Sequence, residues 1–169
     1  MIMSPLRYET PGDYAAIDRI NIEAFANHPF SHQTEHLIVN ALRIANALTV
    51  SLVAEAQGQV VGHVAFSPVL IDDEDVAWFA LGPLSVLPSH QRQGMGSRLV
   101  VRGLDELRKR GANGCVLVGE PGYYERFGFR YCATLALRNI PSEYVLCLPL
   151  SGSVPRGIVT HHQAFYVSA

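Results

Sequence analysis

The sequence predicts an α/β chain (α+β in its segregation of elements), with a mixed, mostly antiparallel central sheet flanked by helices. Residues 78–86 form an apolar strand ended by Pro88 and Ser89, and Met95, Leu99, Val100, Leu104 and Leu107 follow at helical spacing. Beyond that helix, Cys115-Val116-Leu117-Val118 is a short buried strand, and a strand-helix-strand crossover makes it parallel to 78–86. Residues 51–56 and 60–66, joined by Gln57-Gly58-Gln59, read as an antiparallel hairpin.

The remaining elements fit around this frame. Residues 6–10 alternate enough for a first strand, and Pro11-Gly12-Asp13 opens a helix with Ala16, Ile17, Ile20 and Phe25 on one face. After a break at Asn27-His28-Pro29-Phe30, a second helix is expected from about 32 to 45, with Leu37, Ile38, Leu42 and Ile44 as its apolar face. Asp72-Asp73-Glu74-Asp75 lies in the link before residue 78. Adjacent carboxylates without alternate spacing, a Gly and a distal Glu make a solvated hairpin tip rather than a calcium loop. The long helix ends near Arg108-Lys109-Arg110-Gly111, basic residues on its negative end and Gly as terminator. A short helix over 121–126, strands around 144–150 and a covering loop or terminal strand over 151–169 complete one domain spanning 1–169.

A formal charge of −2 gives no bulk attraction for nucleic acid or an anionic membrane. No apolar run reaches a membrane span, and Met1-Ile2-Met3-Ser4-Pro5 lacks the basic start and apolar stretch of a signal peptide, so a cytoplasmic location is expected. Cys115, Cys132 and Cys147 are odd in number and lack C-x-x-C spacing, which points to reduced, buried thiols. His161 and His162 are adjacent and point in different directions, so no metal site is expected there or elsewhere.

The segment Gln91-Arg92-Gln93-Gly94-Met95-Gly96 carries the strongest functional signal. Its glycines remove the Cβ atoms that would hold an anion away, and the helix behind it offers unpaired N–H groups and a positive dipole end, which suits a pyrophosphate. It is not a P-loop, since no Lys stands beside the glycines. It is not a dinucleotide fingerprint either, because Leu99 occupies the place of the third small residue.

Gln91-x-x-Gly94-x-Gly96 resembles the acetyl-CoA pyrophosphate loop of the GNAT acyltransferases. Gly119-Glu120-Pro121-Gly122-Tyr123-Tyr124-Glu125-Arg126-Phe127-Gly128-Phe129 is similar to the Tyr-x-x-x-Gly-Phe segment that follows that fold's fifth strand. Within the superfamily the likeness is closest to the YhbS-like N-acetyltransferases, through Ala65-Phe66-Ser67-Pro68, Pro83-Leu84 and Tyr123-Tyr124-x-Arg126-Phe127-Gly128-Phe129. It covers residues 50–131 well.

The resemblance implies a splayed parallel strand pair and N-acetyl transfer from acetyl-CoA to a primary amine of a small molecule or protein. The amine would attack directly, through a tetrahedral intermediate, with no metal. Leu84, Ser85 and Val86 would meet the pantetheine amides where Gly82-Pro83 distorts the strand. Gln91, Arg92, Gln93, Gly94, Met95, Gly96 and Ser97 would hold the pyrophosphate, and Gly119, Glu120, Tyr123, Tyr124 and Phe127 would border the same cofactor. Tyr124, four residues before Gly128-Phe129, matches the family's acid, and a backbone N–H near Val86 would stabilise the oxyanion. Many family members carry a basic carboxylate on the strand corresponding to 78–86, and this chain has none there. Glu23, Glu120, His161, His162 or a water chain are the substitutes. The missing carboxylate also motivates an alternative, a non-catalytic CoA-binding regulatory module. The C-terminal strands are compatible with a homodimer.

Overall fold

The computed structural model describes residues 5–168. Strand β1 (Leu6–Tyr8) leads through a tight 3-10 turn at Pro11–Asp13 into α1 (Tyr14–Phe25), and α2 (Glu35–Ile44) follows. Next come β2 (Val50–Ala56), β3 (Gln59–Ile71), β4 (Trp78–Val86), α3 (Met95–Lys109) and β5 (Gly114–Val118). The chain continues through α4 (Pro121–Tyr124), β6 (Arg130–Tyr131), β7 (Leu135–Ala136), β8 (Val145–Pro149) and β9 (Gly157–His161). The sheet order is β1-β2-β3-β4-β5-β8-β6, while β9 pairs with the far end of β3 and with β7. Only β4 with β5 and β7 with β9 run parallel among the described pairs. The mixed, mostly antiparallel sheet expected from the sequence is therefore present.

The hairpin between β2 and β3 turns at Gln57 and Gly58, both with positive φ (52° and 76°), the twist that suits a two-residue connection. α3 packs on the sheet through Leu99, Val100, Leu104 and Leu107, all at most 3% exposed. It comes so close at Gly103 that a Cβ there would lie 2.2 Å from the Phe66 ring. The buried residues of α1 are Ile17, Ile20 and Asn21; Phe25 is only half-buried.

Three expectations need correction. α2 starts at Glu35 rather than near 32, and its buried residues are Val39 and Leu42, whereas Ile44 is 88% exposed. Ile44 lies two residues past Leu42, about 200° round the helix, so it cannot share that face. β3 continues past residue 66 to Ile71 because Val69, Leu70 and Ile71 acquire a partner in β9. The acidic tip is not wholly solvated charge either: the Asp72 carboxylate accepts the Ile158 N–H at 2.8 Å and holds the start of β9 to the tip.

Asp13 anchors the first turn. Its carboxylate accepts from Arg7 at 2.7 and 3.0 Å and from the Thr10 N–H at 2.7 Å. The Arg7 hydrogen bonds, helped by those from Thr10, hold its pKa down at about 2 against an ordinary 3.8. A carboxyl whose pKa is lower in the folded chain stabilises the fold fully above the unfolded value, and that contribution fades as pH falls through the folded value. Asp13→Asn is thus expected to lower the melting temperature at pH 7, with the gap to wild type closing as pH is taken from 4 toward 2. A paired thermal series checks this, and a gap independent of pH would refute it.

Candidate active site

The helix α3 begins at Gly94, whose φ of 82° lies in the left-handed region where a glycine costs nothing. The first amide to find a helical acceptor is that of Arg98, bonded to the Gly94 carbonyl at 3.1 Å. The N–H groups of Met95, Gly96 and Ser97 are therefore left at the open end without intrahelical acceptors, at the positive end of the dipole. Met95 is buried and anchors the turn, while Arg92, Gln93 and Gly94 are exposed. Gln91 is exposed as well, but its Nε2 donates to the Val86 carbonyl at 2.9 Å and so fastens the loop to the end of β4. Its side chain positions the loop.

Val86 ends the strand that splays. Leu81 pairs with Phe66 and Leu84 with Val64, so β4 uses one residue more than β3 across Gly82-Pro83, a bulge of the kind Pro and Gly permit. On its other edge β4 pairs with β5 only from Trp78 to Ala80, and the two parallel strands then part. The Leu87 N–H donates to the Val61 carbonyl at 2.8 Å. Backbone groups alternate sides along an antiparallel ladder, so those of Val86 and Leu84 face away from β3, into the gap that β5 has left. Ser85 is buried with its side chain on the sheet face, opposite His63.

The far wall comes from α4. Tyr123 projects toward α3, its Oη lying 3.0 Å from where a Cβ on Gly96 would stand. Arg126 stacks over its ring at 4.6 Å. Tyr124 packs inward: a Cβ on Gly119 would come within 2.7 Å of its ring, and Phe127 and Phe129 lie 6.2 and 6.1 Å away between centroids. Burial pushes the Tyr124 hydroxyl above its ordinary value of 10, with Tyr123 adding to the shift, so it stays protonated at neutral pH. Glu120 caps α4 with its carbonyl, which accepts from Tyr123 and Tyr124 at 3.1 and 3.2 Å, and its side chain is exposed. Loop, strand end and aromatic wall thus converge on one opening, whereas Glu23 lies exposed on α1.

The histidines fall elsewhere. His161 pairs with Val69 at the end of β3 remote from Gly62, the partner of Val86, which puts it roughly 20 Å from the splay at about 3.3 Å per residue. It stacks on Phe165 at 4.3 Å, and burial lowers its pKa to about 4, while His162 accepts the Ala164 N–H at 3.1 Å. Both are structural.

A polar network that sequence reasoning did not single out lies on the same sheet face as Ser85. Glu9 takes two hydrogen bonds from Arg43, at 2.7 and 2.9 Å, and one from the Ser51 hydroxyl, and Ser51 meets His63 Nε2 at 2.8 Å. The three residue types suggest a nucleophilic triad. Here, however, the serine gives its proton to the carboxylate, so His63 Nε2 is the donor to serine and cannot act as its base. Burial lowers the His63 pKa to about 4, against the pull of Glu9, so the ring is neutral. The network ties α2 to the sheet.

Comparison with known proteins fits this geometry. Residues 48–131 match the acetyltransferase (GNAT) domain model. The chain is 40% identical over 134 residues to the uncharacterised N-acetyltransferase YhbS of Escherichia coli K12, covering 79% of this chain and 77% of that protein. The chain belongs to the GNAT acetyltransferase family. Among solved GNAT structures, one from Brucella melitensis in complex with acetyl-CoA superposes with a TM-score of 0.87 at 48% identity, covering 96% of this chain and 97% of that one. The Escherichia coli YhbS structure in complex with CoA superposes at 0.91 and 32% identity, covering 100% of this chain and 95% of that one. The GNAT-type splayed parallel pair is the part of the fold that the site uses.

Proposed function

We propose that this GNAT chain is an N-acetyltransferase that moves the acetyl group of acetyl-CoA to a primary amine. The observation that carries the reading is the convergence of the outward-facing backbone of Leu84 and the Val86 N–H, the open amides of Met95, Gly96 and Ser97, and the tyrosine wall of α4. The fit is chemical as well as spatial. Extended amides such as those of pantetheine can pair with Leu84 and Val86 as an added strand, and a pyrophosphate suits the amides of α3. Gly96 leaves room beside Tyr123.

In the reaction, the amine adds to the thioester carbonyl and the oxyanion that develops is stabilised by the Val86 N–H, a donor worth about 3 kcal/mol by analogy with single oxyanion-hole deletions. The carbon–sulfur bond then breaks, and the Tyr124 hydroxyl, kept protonated by burial, donates to the departing sulfur. The incoming ammonium must first lose a proton. In this proposal Glu23, exposed on α1 outside the opening of the site, receives it through intervening water and returns it to solvent, since the strand from Trp78 to Val86 holds no carboxylate. Glu23→Gln is expected to lower turnover about ten-fold near neutral pH and less at high pH, where free amine is abundant. A pH-rate profile superposable on wild type would remove Glu23 from the mechanism.

The amine requirement is checked by following CoA thiol release colorimetrically with acetyl-CoA and a panel of primary amines, including peptide N-termini and polyamines. Release that depends on one class of amine, with acetylated amine found by mass spectrometry, is the expected result. Tight acetyl-CoA binding with no transfer to any amine would favour the CoA-binding module instead.

A further inference from the structure

Cys132 and Cys147 lie outside the proposed acetyl-transfer site, and the fold brings them together. β6 and β8 pair antiparallel with Arg130 opposite Cys147 and Tyr131 opposite Leu146. Cys132, two residues past Arg130, returns to the same face as Cys147 and sits diagonally from it. The two thiols lie near enough to influence each other's ionisation, and both belong to the buried cluster on the sheet with Trp78, Val116 and Val145. The third cysteine, Cys115, packs in a different cluster with α3 and Phe129, and burial drives its thiol far above the ordinary value.

The two sulfurs are not equivalent. Cys132 stands just beyond the end of β6, between exposed Tyr131 and Ala133, and its backbone is held by a long 3.4 Å bond from Leu135 N–H to its carbonyl. Its Sγ is 3.2 Å from the Thr134 hydroxyl. Burial alone would raise its pKa, but the Thr134, Cys147 and Leu135 contacts outweigh burial and lower it. Cys147, in mid-strand, is pushed up to about 12, first by burial and then by Cys132. The thiolate therefore forms on the partner that is less tightly held.

We propose that Cys132 and Cys147 are a thiol pair that a hydroperoxide converts to an intramolecular disulfide joining the end of β6 to β8. The Cys132 thiolate attacks the peroxide, the O–O bond breaks, hydroxide leaves and Cys132 becomes a sulfenic acid. The Cys147 sulfur then displaces that oxygen as water and forms the S–S bond. In all, two thiols and one hydrogen peroxide give one disulfide and two waters. A diagonal strand pair is slightly wide for a disulfide, and Cys132, lying off the ladder, is free to close the difference.

The test treats the folded protein with hydrogen peroxide, alkylates free thiols and digests with trypsin without reduction. Arg138 separates the two cysteines, so the pair is expected as a disulfide linking residues 131–138 to 139–156, lighter by two hydrogens than the sum of the free peptides. The alkylatable thiols should fall from three to one, leaving Cys115, and dithiothreitol should restore all three. Cys147→Ser should instead leave Cys132 as a sulfenic acid that dimedone traps. Overoxidation of Cys132 in wild type without the linked peptides, disulfides only between molecules, or three unreacted thiols would each overturn the proposal.

Discussion

Gly96→Val is expected to reduce acetyl-CoA affinity at least 100-fold while the protein stays folded. A Cβ at this position would lie 3.0 Å from the Tyr123 hydroxyl and 3.9 Å from Val86 Cγ2. The valine methyls then extend into the space between the end of β4 and the first turn of α3, where the strand and helix amides face the same ligand. Losing contacts worth 1.4 kcal/mol for each tenfold step, at two or more amides, gives that magnitude. The fold tolerates the change because Gly96 is not in the left-handed region, and valine in a first turn costs under about 1 kcal/mol. Gly94→Val should also abolish binding, but there a φ of 82° strains any side chain, so a loss of affinity would mix strain with obstruction. Isothermal titration of Gly96→Val alongside its melting curve separates the two, and wild-type affinity would refute the loop assignment.

Tyr124→Phe is expected to leave acetyl-CoA affinity and stability nearly unchanged and to lower turnover by about 10²-fold, the lower end of general-acid effects. The ring keeps its packing on Gly119 and Phe129, so only the hydroxyl is lost. Tyr123→Phe is the matched control, because its hydroxyl sits at the start of α3 and belongs with binding. If Tyr123→Phe lost turnover and Tyr124→Phe did not, the two roles would be exchanged.

What could be read from the sequence was local chemistry. Gly82-Pro83 announced a distorted strand because Pro lacks a ladder donor, and the bulge lies there. Gly94 and Gly96 announced a helix start open to an anion, and α3 begins there. The parallel pairing of β4 and β5 followed from the crossover between them. What escaped reading depends on residues distant in the chain. β3 looked finished at Phe66 because the strand that extends it, β9, comes some ninety residues later. Glu9, Ser51 and His63 carry no local signal, yet they meet beneath α2. The two tyrosines could be ranked by register, but the contact of Tyr123 with Gly96 depends on how α4 lies against α3.

The central claim is that the end of β4 and the start of α3 together form an acetyl-CoA site. Isothermal titration calorimetry of the purified protein with acetyl-CoA, with CoA and ATP alongside, tests it most directly. Micromolar binding of acetyl-CoA and CoA with none of ATP is the result this account predicts. No heat from either CoA species would contradict it, and would return Gly94-Met95-Gly96 to a turn that merely packs a helix against a strand.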